Sequence, residues 1–394
     1  MATVRESPTA AISVKARQLV AAGRPVINLG EGELDFDTPD HIKAAGIHAI
    51  RDGQTKYTAV SGTPELKGAI QAKFQRENGL EYRLDQIIAG TGAKQILFNA
   101  LLSTVTAGDE VIVPSPFWVS YPDMTRLAGG TPVIVPCDEN CGLKLRPQAL
   151  AKAISPRTKW LVLNSPNNPS GAVYSAAELR DIASVLLDND HVMVLSDDVY
   201  EHIVYDGLAH TLAAVEPRLV ERTLTVNGVS KVFSMTGWRL GYAGGPVWLV
   251  RALDIIQSQS TSNPSSISQA AAAAALNASL DYFGPRLDAL RRRRDHVIAA
   301  LGKTGGRLCG ATPEGAFYVF ANCRGMIDAT APNGFAIGSD IDAATYLLEA
   351  ADLAMVPGAA FGMSPYLRIA YAVDDDTLAT ACRRLVAACE RLSA

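Results

Sequence analysis

Short apolar runs alternate with longer stretches of helical periodicity through the middle of this chain. Runs at 86–90, 110–114, 131–135, 160–164, 192–196, 223–227 and 240–244 predict strands. Several are apolar on consecutive positions, the pattern of parallel strands covered on both faces. Helical spacing occupies 94–105 and 176–187. Strands alternating with helices predict a doubly wound α/β architecture with a mostly parallel seven-stranded sheet. The pattern changes after Pro285. A long charged amphipathic helix is followed by a strand over 314–320, a helix near 342–351, a strand over 367–371 and a closing helix over 375–392. These form an α+β unit. The expected division is a large domain over 40–288 and a small one formed by both termini, 1–39 and 289–394.

Composition narrows the class. The 394 residues are 48% hydrophobic and 19% charged, the balance of a globular protein with a sizeable core. A formal net charge of −4 supplies no basic field for nucleic acid or anionic membrane. The one dense basic run, Arg291 to Arg294, reads as the solvated face of a helix. Six cysteines form no C-x-x-C pair and have no histidine at zinc spacing, so they read as scattered reduced thiols and no metal site is expected. The longest near-apolar run, 270–276, is too short to span a bilayer, and the first residues lack a signal-type apolar segment. The expectation is a soluble cytoplasmic protein.

Four segments carry candidate chemistry. In Asn227-Gly-Val-Ser-Lys231-Val-Phe-Ser-Met-Thr-Gly-Trp-Arg239, a lysine directly follows a buried strand. Burial and nearby positive charge lower a lysine pKa and make it a nucleophile toward carbonyls. Arg239, in a Gly-rich turn, suits a phosphate dianion. Taken alone, a surface lysine and a packed arginine fit equally well. Gly90-Thr-Gly92-Ala93-Lys94 lies between a strand and a helix, where small residues let backbone N–H groups approach an anion. Many α/β turns look the same. Ser196-Asp197-Asp-Val-Tyr200 ends a strand, at the edge where open α/β sheets bind ligands. Asp197 fits a carboxylate that keeps a pyridine nitrogen protonated, or else a helix N-cap. Asn164-Ser-Pro-Asn167-Asn168-Pro also follows an apolar strand; Asn168 is a donor to a ring oxygen or a turn-builder.

In this order, and together with Asp35-Phe-Asp-Thr-Pro, Thr55-Lys-Tyr57-Thr, Ser115-Pro-Phe-Trp118 and Leu367-Arg368-Ile, these segments resemble the aspartate aminotransferase family over nearly the whole chain. These are class I aminotransferases, fold type I enzymes using pyridoxal 5'-phosphate. The likeness is greatest to the bacterial branch that includes aspartate and prephenate aminotransferases. The resemblance implies that Lys231 carries the cofactor and shuttles the proton. It pairs Asp197 with the pyridinium nitrogen, and Tyr200 and Asn168 with the ring hydroxyl oxygen, while Trp118 stacks on the ring. It gives Gly92, Ala93, Lys94 and Arg239 to the phosphate or its surroundings. Tyr57 reaches the phosphate of the other subunit, which implies a homodimer with shared sites. Arg368 binds the substrate α-carboxylate, Gly32 lies near it, and Lys94 is also linked to the distal carboxylate of a dicarboxylic amino acid. The reaction implied is ping-pong exchange of an amino group between an L-amino acid and a 2-oxo acid.

Departures bear on substrate choice. Where relatives usually carry Gly-Ala-Gly-Glu-Pro-Asp-Phe, this chain has Gly30-Glu31-Gly32-Glu33-Leu34-Asp35-Phe36. Glu31 adds a negative charge that either faces substrate, repelling a second carboxylate, or points to solvent. Leu34 frees a φ that proline would fix. Gly228 replaces a phosphate-binding serine of many relatives. The run 257–266 contains no arginine, which fits Lys94 as the distal-carboxylate group and fits an enzyme for aromatic or neutral amino acids as well. Two other functions stay open: lyase or other α-carbon chemistry on the same scaffold, and a non-catalytic pyridoxal-phosphate-binding regulator.

Overall fold

Alternate residues of the central strands feed two different cores, and this arrangement builds the large sheet. The computed structural model describes residues 8–393; residues 1–7, part of the segment assigned to the small domain, lie outside the described residues. Twelve strands occur among the described residues: β1 Ile27–Asn28, β2 Ile87–Gly90, β3 Glu110–Ser115, β4 Thr131–Pro136, β5 Thr158–Asn164, β6 Met193–Asp197, β7 Thr223–Gly228, β8 Gly241–Gly244, β9 Tyr318–Asn322, β10 Leu353–Ala354, β11 Val356–Pro357 and β12 Tyr366–Ala370. Val111, Val113, Trp160, Val162, Met193 and Leu195 pack into a core capped by the helices Ala93–Thr104 and Val247–Ser258. Their neighbours Ile112, Leu161, Leu163 and Val194 face the opposite core, under the helix Ala176–Leu187. Period-two alternation with both faces covered explains why the strands read as continuous apolar runs.

The large sheet has the order β2-β8-β7-β6-β5-β3-β4. Every pairing is parallel except those of β8, which runs antiparallel to β2 and β7. The carboxyl ends of β5, β6 and β7 therefore lie side by side, with Asn164 in register with Asp197 and Asp197 with Val226. A second sheet, β11-β12-β9, is antiparallel, and β1 pairs in parallel with β10, joining the N-terminal segment to the C-terminal part of the chain. Among the described residues, no helix is long and apolar enough to cross a membrane.

Two expectations are corrected. The strand expected over 314–320 begins at Tyr318. Residues 315 and 316 instead dock across the molecule, with the N–H groups of Gly315 and Ala316 donating to the carbonyls of Gly171 and Ile203 at 2.8 Å each. The long helix spans Phe283–Leu301 and holds Pro285 in its first turn, where proline removes no needed donor. Its basic run is not a solvated face, because Arg293 and Arg294 are buried. Arg293 grips Asp35 with two hydrogen bonds of 2.8 and 2.9 Å and donates from Nε to Asp375 at 2.6 Å. Arg294 lies over the Tyr205 ring at 4.6 Å. One helical turn thus ties the N-terminal motif Asp35-Phe36 to the C-terminal helix, something a charge count cannot reveal.

Removing one side of such a pair leaves a carboxylate without its partner, so Arg293→Ala should lower the unfolding free energy by about 2–3 kcal/mol in urea titration. Arg292→Ala, at an exposed position one residue away, should stay within about 0.5 kcal/mol. Equal effects of the two would show that the pair is not structural.

Candidate active site

Asp197 ends β6 at the carboxyl edge of the large sheet and is buried. No helix follows it directly, so it is not a helix N-cap. Its Oδ2 accepts from the Tyr121 hydroxyl at 2.5 Å, and its Oδ1 takes a long contact of 3.4 Å from the Val199 N–H. Burial pushes the carboxyl up to about 6, and the Tyr121 hydrogen bond opposes that rise.

Lys231 stands three residues beyond the end of β7, with Nζ donating to the Gly32 carbonyl at 2.6 Å and lying 5.4 Å from the centre of the Tyr200 ring. Burial, reinforced by repulsion from Arg368 and Arg239, brings its pKa down to about 8. At pH 7 roughly a tenth of such an amine is unprotonated and nucleophilic. The reading of Lys231 as a surface lysine is therefore set aside.

Arg368, on β12, is the third charge. It is buried, lies over the Tyr318 ring at 4.6 Å and the Phe361 ring at 5.0 Å, and donates to Asn168 Oδ1 at 2.9 Å and the Gly30 carbonyl at 2.6 Å. Its Nε has no partner among the described residues. A buried guanidinium with a spare donor can take a carboxylate.

These groups line one cavity of about 440 Å³ together with Gly32, Ala93, Lys94, Trp118, Asn168, Tyr200 and Arg239. At the end of the cavity near Ala93, Arg239 takes a left-handed backbone (φ 52°), and a Cβ on Gly92 would fall 2.6 Å from its guanidinium. Gly92 is therefore the residue that lets Arg239 come close to the start of the helix Ala93–Thr104. Lys94 Nζ sits 4.8 Å from the Trp118 ring centre, and burial against this wall lowers its pKa, with Arg239 adding repulsion. Gly228 pairs with Gly241, where an added Cβ would meet the backbone of Leu240 and Gly241 at 3.3 Å. Of the residues singled out from sequence, Gly92 adjoins the cavity through Arg239, and Tyr57 lies away from it, 91% exposed.

Three site residues escaped the sequence reading. Tyr121 holds Asp197; it stands three positions after Trp118, a helical spacing that signals a shared face. Tyr318 bonds its hydroxyl to that of Tyr200 at 2.8 Å and closes on Gly32, where a Cβ would lie 2.6 Å from its oxygen. Within an apolar strand nothing distinguishes it from a core aromatic. Asn164 donates to the Asp197 carbonyl at 2.8 Å and accepts from the Asn168 N–H at 2.9 Å. Behind these residues Glu77, Glu201 and His202 come together, but the Lys73 ammonium, paired with Glu201, fills the space a cation would need.

Residues 24–385 match the family model described as aminotransferase class I and II. The chain belongs to that family. This aminotransferase is 54% identical to the aspartate/prephenate aminotransferase of Cereibacter sphaeroides, over 100% of this chain and 98% of the relative. It superposes on the crystal structure of the Rhizobium meliloti aspartate aminotransferase with a TM-score of 0.96 at 52% identity, covering 100% of this chain and 98% of that one. The Thermus thermophilus aspartate aminotransferase with maleate gives 0.91 at 40% identity, covering 98% and 97%. An amino acid and a 2-oxo acid are the substrates of this aminotransferase. The matches set aside the lyase and regulator alternatives.

A hydrogen bond to a charged acceptor is worth about 1.5–3 kcal/mol, or one to two pH units. Tyr121→Phe in the cofactor-free aminotransferase should therefore raise the Asp197 pKa above 6 by at least one unit. Infrared titration of the carboxyl stretch, assigned with Asp197→Asn, checks this; an unmoved midpoint would remove Tyr121 from the site.

Proposed function

We propose that the cavity holds pyridoxal 5'-phosphate on Lys231 and exchanges amino groups between L-aspartate or L-glutamate and their 2-oxo acids, with prephenate as a further acceptor. The observation that carries this is the convergence of three uncompensated groups. Asp197 is a buried carboxylate with no cation hydrogen-bonded to it, Lys231 is an amine with a depressed pKa, and the Arg368 fork has a free Nε. A pyridinium nitrogen suits Asp197, an aldehyde suits the amine, and an α-carboxylate suits the fork. The Gly92–Arg239 cradle suits a phosphate. The bound cofactor supplies an electron sink for the charge left when the substrate Cα loses its proton.

The chain's own residues divide the remaining work. Arg368 holds the α-carboxylate and so orients the Cα–H bond toward Lys231. Lys231 Nζ, whose neutral form burial favours, takes and returns that proton. With the cofactor bound, Tyr200 and Asn168 would hold the ring hydroxyl oxygen, Trp118 would cover the ring, and Asp197 would keep the ring nitrogen protonated. Gly32 leaves room beside the carboxylate that a side chain would fill. Lys94 meets the distal carboxylate. The names of the relatives and the maleate in the Thermus structure support a dicarboxylic substrate.

The same reading includes a homodimer in which Tyr57 donates to the partner's phosphate site. An aromatic ring left 91% exposed supports that contact. It also assigns a large domain to 40–288 and a small one to 1–39 and 289–394. The large sheet lies wholly within the first range and the β9-β11-β12 sheet within the second, which supports the division. Lys231 and Arg368 then belong to different domains.

The yellow visible band of the holoenzyme should bleach with L-aspartate or L-glutamate and return with a 2-oxo acid. A band that no amino acid bleaches would overturn the assignment. Lys231→Ala should give no such band. Arg368→Lys, which replaces a two-pronged clamp by a point charge, should lower kcat/KM about 100-fold for all substrates alike, since each carries an α-carboxylate.

A further inference from the structure

The sequence departure at Glu31 has a partner. Glu31 accepts from Arg17 Nη1 at 2.8 Å, and both residues line the cavity. Arg17 comes from the helix Pro8–Ala21, which flanks the site, and Glu31 from the segment between β1 and residue 32. Neither side chain is buried; the two are 64% and 44% exposed. The backbone on both sides of Glu31 is fixed by site cations, because the Gly30 carbonyl accepts from Arg368 and the Gly32 carbonyl from Lys231. The glutamate is thereby held on the cavity wall and cannot drift away without disturbing those two bonds.

We propose that Arg17 and Glu31 form an exchangeable ion pair that sets how strongly this site prefers a substrate with a second carboxylate. The inference rests on the reading of the cavity as a dicarboxylate site. A bare Glu31 there would repel an incoming distal carboxylate. A bare Arg17 would attract it, adding to Lys94. Paired, the two cancel, and the wall admits monocarboxylic and dicarboxylic amino acids on more even terms. An exposed pair of this kind contributes little to stability, so an incoming carboxylate competes for Arg17 at little cost. A substrate with no distal charge leaves the pair intact. The pair is therefore a specificity device on the rim, separate from the groups that hold the cofactor.

Opposite signs distinguish this from a structural role. In the holoenzyme, calorimetric titration with succinate, a non-reacting dicarboxylate, should show binding weakened about threefold to tenfold by Arg17→Gln and tightened by a similar factor by Glu31→Gln. The double variant should return close to wild type, and butyrate, the monocarboxylate control, should bind all four proteins alike. The KM for L-aspartate should follow succinate while kcat stays within about twofold. If both single variants weaken succinate, or neither moves it, the pair does not set specificity, although the assignment of the site stands. If the wild-type enzyme binds succinate no better than butyrate, the dicarboxylate reading fails, and this inference with it.

Discussion

A guanidinium cannot sit 2% exposed inside a protein unless acceptors hold it, and Arg368 meets that requirement with groups from two distant parts of the chain. Asn168 Oδ1 follows the end of β5, and the Gly30 carbonyl lies just past β1. The arginine itself comes from the middle of β12. Three segments separated by well over a hundred residues must therefore meet at one point before the charge is satisfied. The flanking rings of Tyr318 and Phe361 exclude water from that point. The requirement is not complete, however, since Nε keeps no partner. The most buried cation of the site is thus held firmly while one of its donors stays unpaired among the described residues.

From this arginine a continuous line of hydrogen bonds runs back into the sheet. Arg368 donates to Asn168, the Asn168 N–H to Asn164, and Asn164 to the carbonyl of Asp197. Parallel register of β5 and β6 puts Asn164 opposite Asp197, so the sheet end of the line follows from strand pairing, and Asn168 in the loop after β5 carries it on to Arg368. It fixes the spacing between the carboxylate that ends β6 and the guanidinium on β12. Lys231 is fixed in the same way through Gly32, two residues from the Gly30 carbonyl that holds Arg368. Reacting groups held within a fraction of an ångström lose little entropy on forming the productive complex. The rigidity comes from the edge of a sheet whose inner strands are buried on both faces.

Much of this was legible in the sequence, and the reasons are specific. The inner strands of the large sheet were readable because both their faces are buried, leaving mostly apolar runs; β4, largely exposed at the sheet edge, was readable from its Val-Ile-Val run alone. Lys231, Asp197 and Asn168 stood out because each is a charge or amide at or just beyond the end of such a run, whereas Arg368 came only from the family resemblance. Tyr121 and Tyr318 were not, because an aromatic residue in an apolar setting looks the same whether its hydroxyl faces a carboxylate or a core carbonyl. Arg293 and Arg294 were misread for a related reason. A four-arginine run carries no mark of which positions turn inward, and the partners Asp35 and Asp375 are far away in sequence. The helices Asp40–Arg51 and Ser266–Asn277, which pack together, were not among the elements read from sequence; the second hides its periodicity because alanine fills both its faces.

The charges around the cavity fall into two groups that answer to different physics. On the floor, Asp197, Lys231 and Arg368 are removed from bulk water, and their ionisation is set by burial and a few fixed hydrogen bonds. A change of charge there costs several kcal/mol and alters the chemistry itself. On the rim, Arg17 and Glu31 remain largely in water, where a single charge costs little to add or remove. A glutamate can therefore stand beside an anion-binding site without disabling it, provided a cation stands within reach, as Arg17 does. Because the Gly30 and Gly32 carbonyls fix the backbone on either side, residue 31 can change in charge while the floor keeps its geometry. The same short segment thus holds Arg368 and Lys231 through its backbone and carries one adjustable charge on its side chain.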